Sequence, residues 1–219
     1  MELPVKLDQC YLWLDVDGVI IDEIATKTYL STVVFNKLVP NGAIDFWETY
    51  RTLIGGLSQV SFGEALQIWV KKHYLNQDSV VQMIKDLDFE KLVYDDFIRF
   101  IPYLREFKAF GFFTSGTIWF QKEKVFDIEK TFQKMGLTPK AVLASEDKTQ
   151  LFSKMREFSQ DLTSLYADDR LPFLERALRG GFVDLGVLMD RKVEIKRVED
   201  KKILVIENFD NLMEKLQIG

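Results

Sequence analysis

The sequence predicts an α/β fold, a parallel-sheet core interrupted by a helical insertion. Two observations lead there. Short apolar runs near 9–15, 110–113, 141–144, 162–167, 182–189 and 203–206 alternate with helical patterns of roughly 10–15 residues, the signature of βα units. Between about 22 and 99 the alternation stops and helical spacing takes over without a clear strand. That stretch is an insertion, not a repeat.

The first strand carries Tyr11-Leu12-Trp13-Leu14 and ends in Asp15-Val16-Asp17-Gly18. In extended backbone residues i and i+2 face the same side, so Asp15 and Asp17 can address one small volume. Gly18 then lets the chain turn with φ > 0 or pass close to a ligand. In the insertion, Phe46, Trp47, Tyr50 and Leu53 follow helical spacing up to Gly55-Gly56. Ser61-Phe62-Gly63-Glu64 fits a capping box ahead of Leu66, Trp69, Val70 and Tyr74. Ser79 to Gln82 reads as a second box, opening a helix through Met83, Ile84 and Leu87. The aromatic residues Phe46, Trp47, Tyr50, Phe62, Trp69 and Tyr74 are expected to form the core of this insertion, one or two of them facing a ligand.

After Pro102, which suits a first helical turn, Phe110 to Phe113 leads into Thr114-Ser115-Gly116. A helix from about Lys124 stops at Gly136. Ala141 to Ala144 is the next strand, and Asp147 to Gln150 caps a helix carrying Leu151, Phe152, Met155 and Phe158. Leu162 to Ala167 ends in Asp168-Asp169, and a helix through Phe173, Leu174, Ala177 and Leu178 closes at Gly180-Gly181. Strands at 182–189 and 203–206 and a helix from Asn208 complete the chain. In open parallel sheets ligands bind outside the carboxyl ends of the strands. Asp15, Asp17, Thr114, Asp168 and Asp169 all fall at such ends.

Composition narrows the partners. A net charge of −5 argues against a dedicated nucleic-acid partner, which needs a basic face. The Lys and Arg residues between Lys192 and Lys202 alternate with Glu194, Glu199 and Asp200, as on a solvated loop or edge strand. No apolar run is long enough for a membrane span, and Met1 to Lys6 lacks a signal-peptide pattern, so a cytoplasmic location is expected. Cys10 is the single cysteine, which excludes an intrachain disulfide and a zinc cluster. Oligomeric state is not set by the sequence.

Phosphoryl transfer needs a nucleophile, a proton donor, a cation and donors for the phosphoryl oxygens. Asp15 can serve as a carboxylate nucleophile, and Asp17 as the acid that protonates a leaving oxygen and then the base that activates water. Asp-Val-Asp-Gly-Val after an apolar strand resembles the first motif of the haloacid dehalogenase-like (HAD) superfamily. Four motifs in the family's order span residues 11 to 169. The resemblance implies a Rossmann-like core, residues 1–21 and 100–219, with an inserted helical cap, residues 22–99. It gives Asp15 and Asp17 the same roles and places magnesium on the Asp15 side chain and the Asp17 carbonyl. Thr114 matches the phosphate-binding second motif, with Ser115 as the alternative one residue on. Lys148 matches the charge-neutralising lysine, although Thr149 stands where many members have proline. Asp168 and Asp169 match the paired acids that complete the magnesium site, either being the direct ligand; Ala167 replaces a frequent glycine. Hard oxygen donors suit magnesium. The implied activity is hydrolysis of a small phosphorylated metabolite, a phosphate monoester, through an aspartyl-phosphate. The alternatives are a sugar-phosphate mutase and a non-catalytic binding protein.

Each motif also has a structural reading. Asp15 and Asp17 fit turn capping before a glycine, Thr114 fits a turn cap, and Lys148 a solvated helix position. Leu92 to Asp96 also ends an apolar run in two acids, but a helix follows it, so capping explains Asp95 and Asp96. His73, the single histidine, is expected at the surface of the insertion. Gly180, Gly181 and Gly186 lack the lysine-serine ending of a nucleotide loop.

Overall fold

Alternation along the first strand decides the layering. In the computed structural model, which describes residues 6–54, 62–194 and 198–216, β1 spans Cys10–Leu14 and every residue of it is buried. Leu12 and Leu14 pack into one apolar cluster with Phe110, Phe112, Phe132 and Phe209, while Tyr11 and Trp13 pack into a second with Phe113, Phe152, Met155 and Tyr166. A strand buried on both faces needs helices on both sides, the arrangement of a parallel α/β sheet.

Five more strands complete it: β2 (Ala109–Ser115), β3 (Ala141–Ser145), β4 (Thr163–Asp168), β5 (Leu185–Met189) and β6 (Ile203–Ile206). All pairings are parallel, in the order β3-β2-β1-β4-β5-β6. The order reverses between β1 and β4, a topological switch point where such sheets bind ligands beyond their carboxyl ends. Trp13 lies opposite Gly111 in the register of β1 and β2. A Cβ on Gly111 would come within 2.9 Å of the Trp13 ring, so the indole occupies the space a side chain would need.

The chain leaves the sheet after β1 through a turn at Gly18, whose φ is +75°. Outgoing and returning segments then pair: Ile21 bridges Val93, Asp22 N–H donates to Leu92 O, and Tyr94 N–H donates to Ile20 O. Between these crossings the regular elements among the described residues are helical: α1 (Glu23–Leu30), a π-helical turn at Ser31–Phe35, a short turn at Asn36–Leu38, then α2 (Gly42–Ile54), α3 (Phe62–Lys72), α4 (Gln77–Lys85) and a 3-10 turn at Phe89–Leu92. Asp22 caps α1 by accepting from the N–H groups of Ile24 and Ala25 at 2.8 and 3.0 Å.

Aromatic packing holds the helices together. Phe35 stacks on Phe46 at 3.9 Å and meets Trp69 edge-on at 5.1 Å. Phe62 stacks at 4.5 Å on Phe120 and so joins this layer to the sheet domain's own helices. Phe46, Phe62 and Trp69 are buried as expected, but Tyr74 is 97 % exposed. It sits just past the end of α3 in a left-handed turn, φ 53°, where helical spacing no longer applies. His73 is half-buried, with Nε2 2.6 Å from Asp45 Oδ2, a partner that sequence spacing did not suggest.

Helix starts account for the other departures. The cap of α4 is Asn76, which accepts from Ser79 N–H at 2.9 Å, so α4 begins ahead of the Ser79 box. The expected helix end at Gly55-Gly56 and the Ser61 cap lie outside the described residues. After Pro102 the chain forms a 3-10 helix, Ile101–Glu106, preceded by α5 (Asp95–Phe100). α6 runs over Ile118–Lys134 and starts six residues before Lys124. Asp147 caps a 3-10 turn, Lys148–Leu151, that leads into α7 (Phe152–Ser159). α8 (Leu171–Arg179) and α9 (Phe209–Leu216) follow β4 and β6. Among the described residues, no helix is long and apolar enough to cross a membrane.

Candidate active site

Asp15 follows the last residue of β1 and its N–H donates to Ala167 O on β4, which pins it at the switch point. Its Oδ1 accepts from Val16 N–H at 2.8 Å. Lys148 reaches in from the 3-10 turn after β3, with Nζ 2.7 Å from Asp15 Oδ2 and 2.5 Å from Asp168 Oδ2. The lysine is fully buried, so the reading of it as a solvated helix residue does not hold. Asp168 is held on both oxygens: Oδ2 also accepts from the Tyr166 hydroxyl, and Oδ1 accepts from Arg170 N–H at 2.8 Å, which leaves Oδ1 a lone pair to offer.

The carboxylates of Asp15, Asp168 and Asp169 converge, each offering an oxygen within 4.8 Å of the others. Three acids beside one ammonium leave a local excess of negative charge. Burial pushes the Asp15 carboxyl up to about 6, opposed by Lys148 and reinforced by Asp168. Burial, Asp15 and Asp168 push Asp169 up to about 7. Asp168 moves the other way: burial raises it, but Lys148, Arg170 and its hydrogen bonds hold it below the usual carboxylate value. Gly18 packs against this cluster, and a Cβ there would lie 2.8 Å from Asp169 Cγ.

Asp17 is not one of the three converging carboxylates. Lys124 Nζ holds its two oxygens at 2.6 and 2.9 Å, and Gln121 Nε2 donates to Oδ2 at 2.8 Å. Burial raises the Asp17 carboxyl, but these partners outweigh it and keep the group below its ordinary value. For the metal role implied by the resemblance, Asp17 therefore has its backbone carbonyl to offer. The Thr114 hydroxyl is buried and donates to Gln121 Oε1 at 3.1 Å. Ser115, the next residue, lines the cavity and accepts from Arg170 Nη2 at 3.2 Å.

A cavity of about 290 Å³ opens above these groups. Its floor carries Asp17, Ser115, Gln121, Lys124, Asp169 and Arg170; α1, α2 and α3 supply Lys27, Trp47, Tyr50 and Phe62 from above. Sequence reasoning missed Gln121, Lys124, Tyr166 and Arg170. Gln121 and Lys124 share a helix face at i, i+3 spacing, which a helix begun at Ile118 would have exposed to view. Tyr166 precedes Asp168 by two residues on β4 and so shares its side. Arg170 directly follows the paired acids.

Asp95 and Asp96 lie in the first turn of α5, where acids suit the helix dipole, but neither caps it: the N-cap position is Tyr94 and no side chain bonds the helix start. Asp96 has other partners. It is buried, receives Arg191 through two contacts of 3.1 Å, and accepts from Phe209 N–H at 2.7 Å. Arg191 also donates to Gly18 O at 3.2 Å and Val19 O at 2.8 Å, anchoring the loop that bears Asp17.

Neither family models nor curated proteins give a sequence match to this chain. Solved structures do match in shape. A protein from Burkholderia xenovorans assigned as a haloacid dehalogenase-like hydrolase superposes with a TM-score of 0.74 at 17% identity, over 94% of this chain and 95% of its own. The HAD-hydrolase YfnB from Bacillus subtilis, solved bound to magnesium, gives 0.65 at 16% identity, over 96% and 99%. The L-2-haloacid dehalogenase from Xanthobacter autotrophicus, solved with chloropropionic acid covalently bound, gives 0.60 at 11% identity, over 95% and 98%. With the parallel sheet, its order and the helical insertion after β1, the chain has the fold of the haloacid dehalogenase-like hydrolases.

Proposed function

We propose that this chain is a magnesium-dependent phosphatase that hydrolyses a small phosphate monoester through an aspartyl-phosphate on Asp15. The observation that carries the reading is the convergence of the Asp15, Asp168 and Asp169 carboxylates beside a single lysine. The donor set is all oxygen and over-charged, which fits a hard divalent cation. Asp15, Asp168 and Asp169 would hold it, and Asp169 is the least committed of the three to protein partners. Bound magnesium supplies the neutralising charge that lets an anionic ester approach an anionic nucleophile. That a fold neighbour was solved with magnesium supports this choice.

Lys148 keeps Asp15 ionised despite its burial, as a nucleophile requires. Asp15 Oδ attacks phosphorus, the P–O bond to the leaving group breaks, and Asp17 supplies a proton to the departing oxygen. Water then attacks the aspartyl-phosphate, and Asp17 takes its proton. The Lys124 and Gln121 contacts hold Asp17 as the carboxylate, the form needed in that second half; for the first half Asp17 takes up a proton from solvent before it passes one to the leaving oxygen. Trp47, Tyr50, Phe62 and Phe120 give the leaving group an apolar wall.

The dehalogenase neighbours favour a second reading in which Asp15 displaces halide from a 2-haloacid. That reaction has no leaving alcohol to protonate and leaves Asp17 without a task. The two are separated by following phosphate release from an aryl phosphate and chloride release from 2-chloropropionate. Each is run with magnesium, with EDTA, and with Asp15→Asn. Phosphate release that needs both magnesium and Asp15 is the expected result; chloride release alone, indifferent to EDTA, would overturn the proposal.

A further inference from the structure

The cations of the site divide into two kinds. Lys148 and Lys124 are buried and spent on carboxylates. Arg170 is not. Its guanidinium carbon lies over the Phe173 ring, 4.2 Å from ring centre, and among the described residues the one hydrogen bond its side chain makes goes to Ser115 Oγ. Its distances to the acids, 4.0 Å to Asp15, 3.8 Å to Asp168 and 3.7 Å to Asp169, are those of charge attraction without hydrogen bonds. The side chain is 47 % exposed and lines the cavity. A planar fork of five donors with one used, oriented by an aromatic face, is arranged to receive a bidentate anion.

We infer that Arg170, seated on Phe173 and joined to Ser115, binds two oxygens of the substrate's phosphoryl group next to Asp15. This rests on the phosphatase reading for the identity of the anion. Nη2 stands 4.0 Å from the Asp15 oxygen, so a tetrahedral phosphoryl carried on or approaching that oxygen brings its own oxygens within hydrogen-bond reach of the fork. Ser115, whose hydroxyl accepts from Arg170, has its proton left to donate to the same group. The arginine thus attracts the anion that three nearby carboxylates repel, and it does so from the wall of the cavity. Arg170 is assigned here as a substrate-binding residue, distinct from the buried lysine.

The test uses the full chain in magnesium with inorganic phosphate as the probe, titrated by calorimetry. Arg170→Gln should weaken phosphate binding between about 10- and 100-fold, the value of a charge-assisted bidentate contact. Arg170→Lys should recover only part of it, because an ammonium offers a point charge without the fork. The surface variant Arg156→Gln, which loses a contact to Asp184, controls for net charge and should leave binding unchanged. Affinity within twofold of the parent in Arg170→Gln overturns the assignment, as does the absence of phosphate binding by the parent. Acetate binding with the same dependence on Arg170, and none by phosphate, overturns it in favour of a carboxylate subsite. Aryl-phosphate hydrolysis is measured alongside. Arg170-dependent phosphate binding without turnover would count against the phosphatase reading alone; turnover with phosphate affinity indifferent to Arg170 would count against this inference alone.

Discussion

Replacing Lys148 by methionine removes the one ammonium shared by two buried acids while keeping an unbranched chain of similar length. The stem lies among Phe113, Tyr166 and Phe173, with the ammonium 5.3 to 5.8 Å from the three ring centres, and a thioether packs well on such rings. What is lost is charge. Lys148, Asp15 and Asp168 are essentially solvent-free, so no water screens the carboxylates left behind. Their escape is protonation. Forcing a carboxyl with an ordinary value near 3.9 to stay neutral costs about 1.4 kcal/mol per pH unit above that value. The ceiling is therefore about 1.5 kcal/mol at about pH 5, and about 5 kcal/mol at about pH 7.5, for each acid so neutralised. The sign follows from proton counting: between these pH values the unfolded acids have released protons that the folded variant retains, so the variant's stability falls as pH rises. Urea unfolding with EDTA, followed by circular dichroism at both pH values, measures it. We expect a loss of about 3–5 kcal/mol near pH 7.5 that shrinks severalfold near pH 5. A loss below about 1 kcal/mol at both values would refute the reasoning, since a buried carboxylate stripped of its partner is never that cheap.

Metal addition should follow the same logic in the parent chain. Asp169, pushed up to about 7, holds a proton that its unfolded form has released from about pH 4 upward, so metal-free stability should fall between those values. Magnesium should displace that proton: calorimetry near pH 6 in buffers of different ionisation enthalpy should show proton release on binding. Gly18→Ala combines a left-handed φ of +75° with a Cβ against Asp169. It should cost about 1–2 kcal/mol of stability and weaken magnesium binding in a titration; an unchanged magnesium affinity would show that Gly18 does not shape the metal cluster. Arg191→Met removes both carbonyl anchors of the Gly18-Val19 turn and the partner of buried Asp96. It should destabilise by about 3 kcal/mol and lower kcat more than it raises KM, because the chemistry loses position while the cavity keeps its walls. Lys124→Met should slow turnover with little effect on phosphate binding, since the Lys124 ammonium is engaged by both oxygens of Asp17; equal losses in kcat and phosphate affinity would place Lys124 on the substrate instead.

The sequence by itself determined the layers and the sheet edge at which the candidate site lies. Apolar runs buried on both faces cannot form a half-exposed sheet, and the helical spacing between them leaves parallel pairing as the way to cover both faces. Strand ends then put Asp15, Asp17, Thr114 and Asp168-Asp169 on one edge, since in a parallel sheet every carboxyl end lies on the same side. Lys148 was legible only through its match to the third motif of the HAD superfamily; its turn after β3 brings it to that edge. Tertiary structure alone decided how the charges pair. Asp15 and Asp17 are two residues apart, yet one shares Lys148 with Asp168 and the other is held by Gln121 and Lys124. Those partners are 104 and 107 positions distant from Asp17, and nothing local in a helix marks which of its polar residues will turn inward. The pair Asp95-Asp96 shows the same limit: the sequence suggests helix capping, but no side chain caps α5, and Arg191 nearly a hundred residues on makes Asp96 an anchor of the loop that bears Asp17. Periodicity is written residue by residue, and so fold can be read from it. Side-chain charges choose partners by distance and shared burial, which exist only once the helices have packed against the sheet.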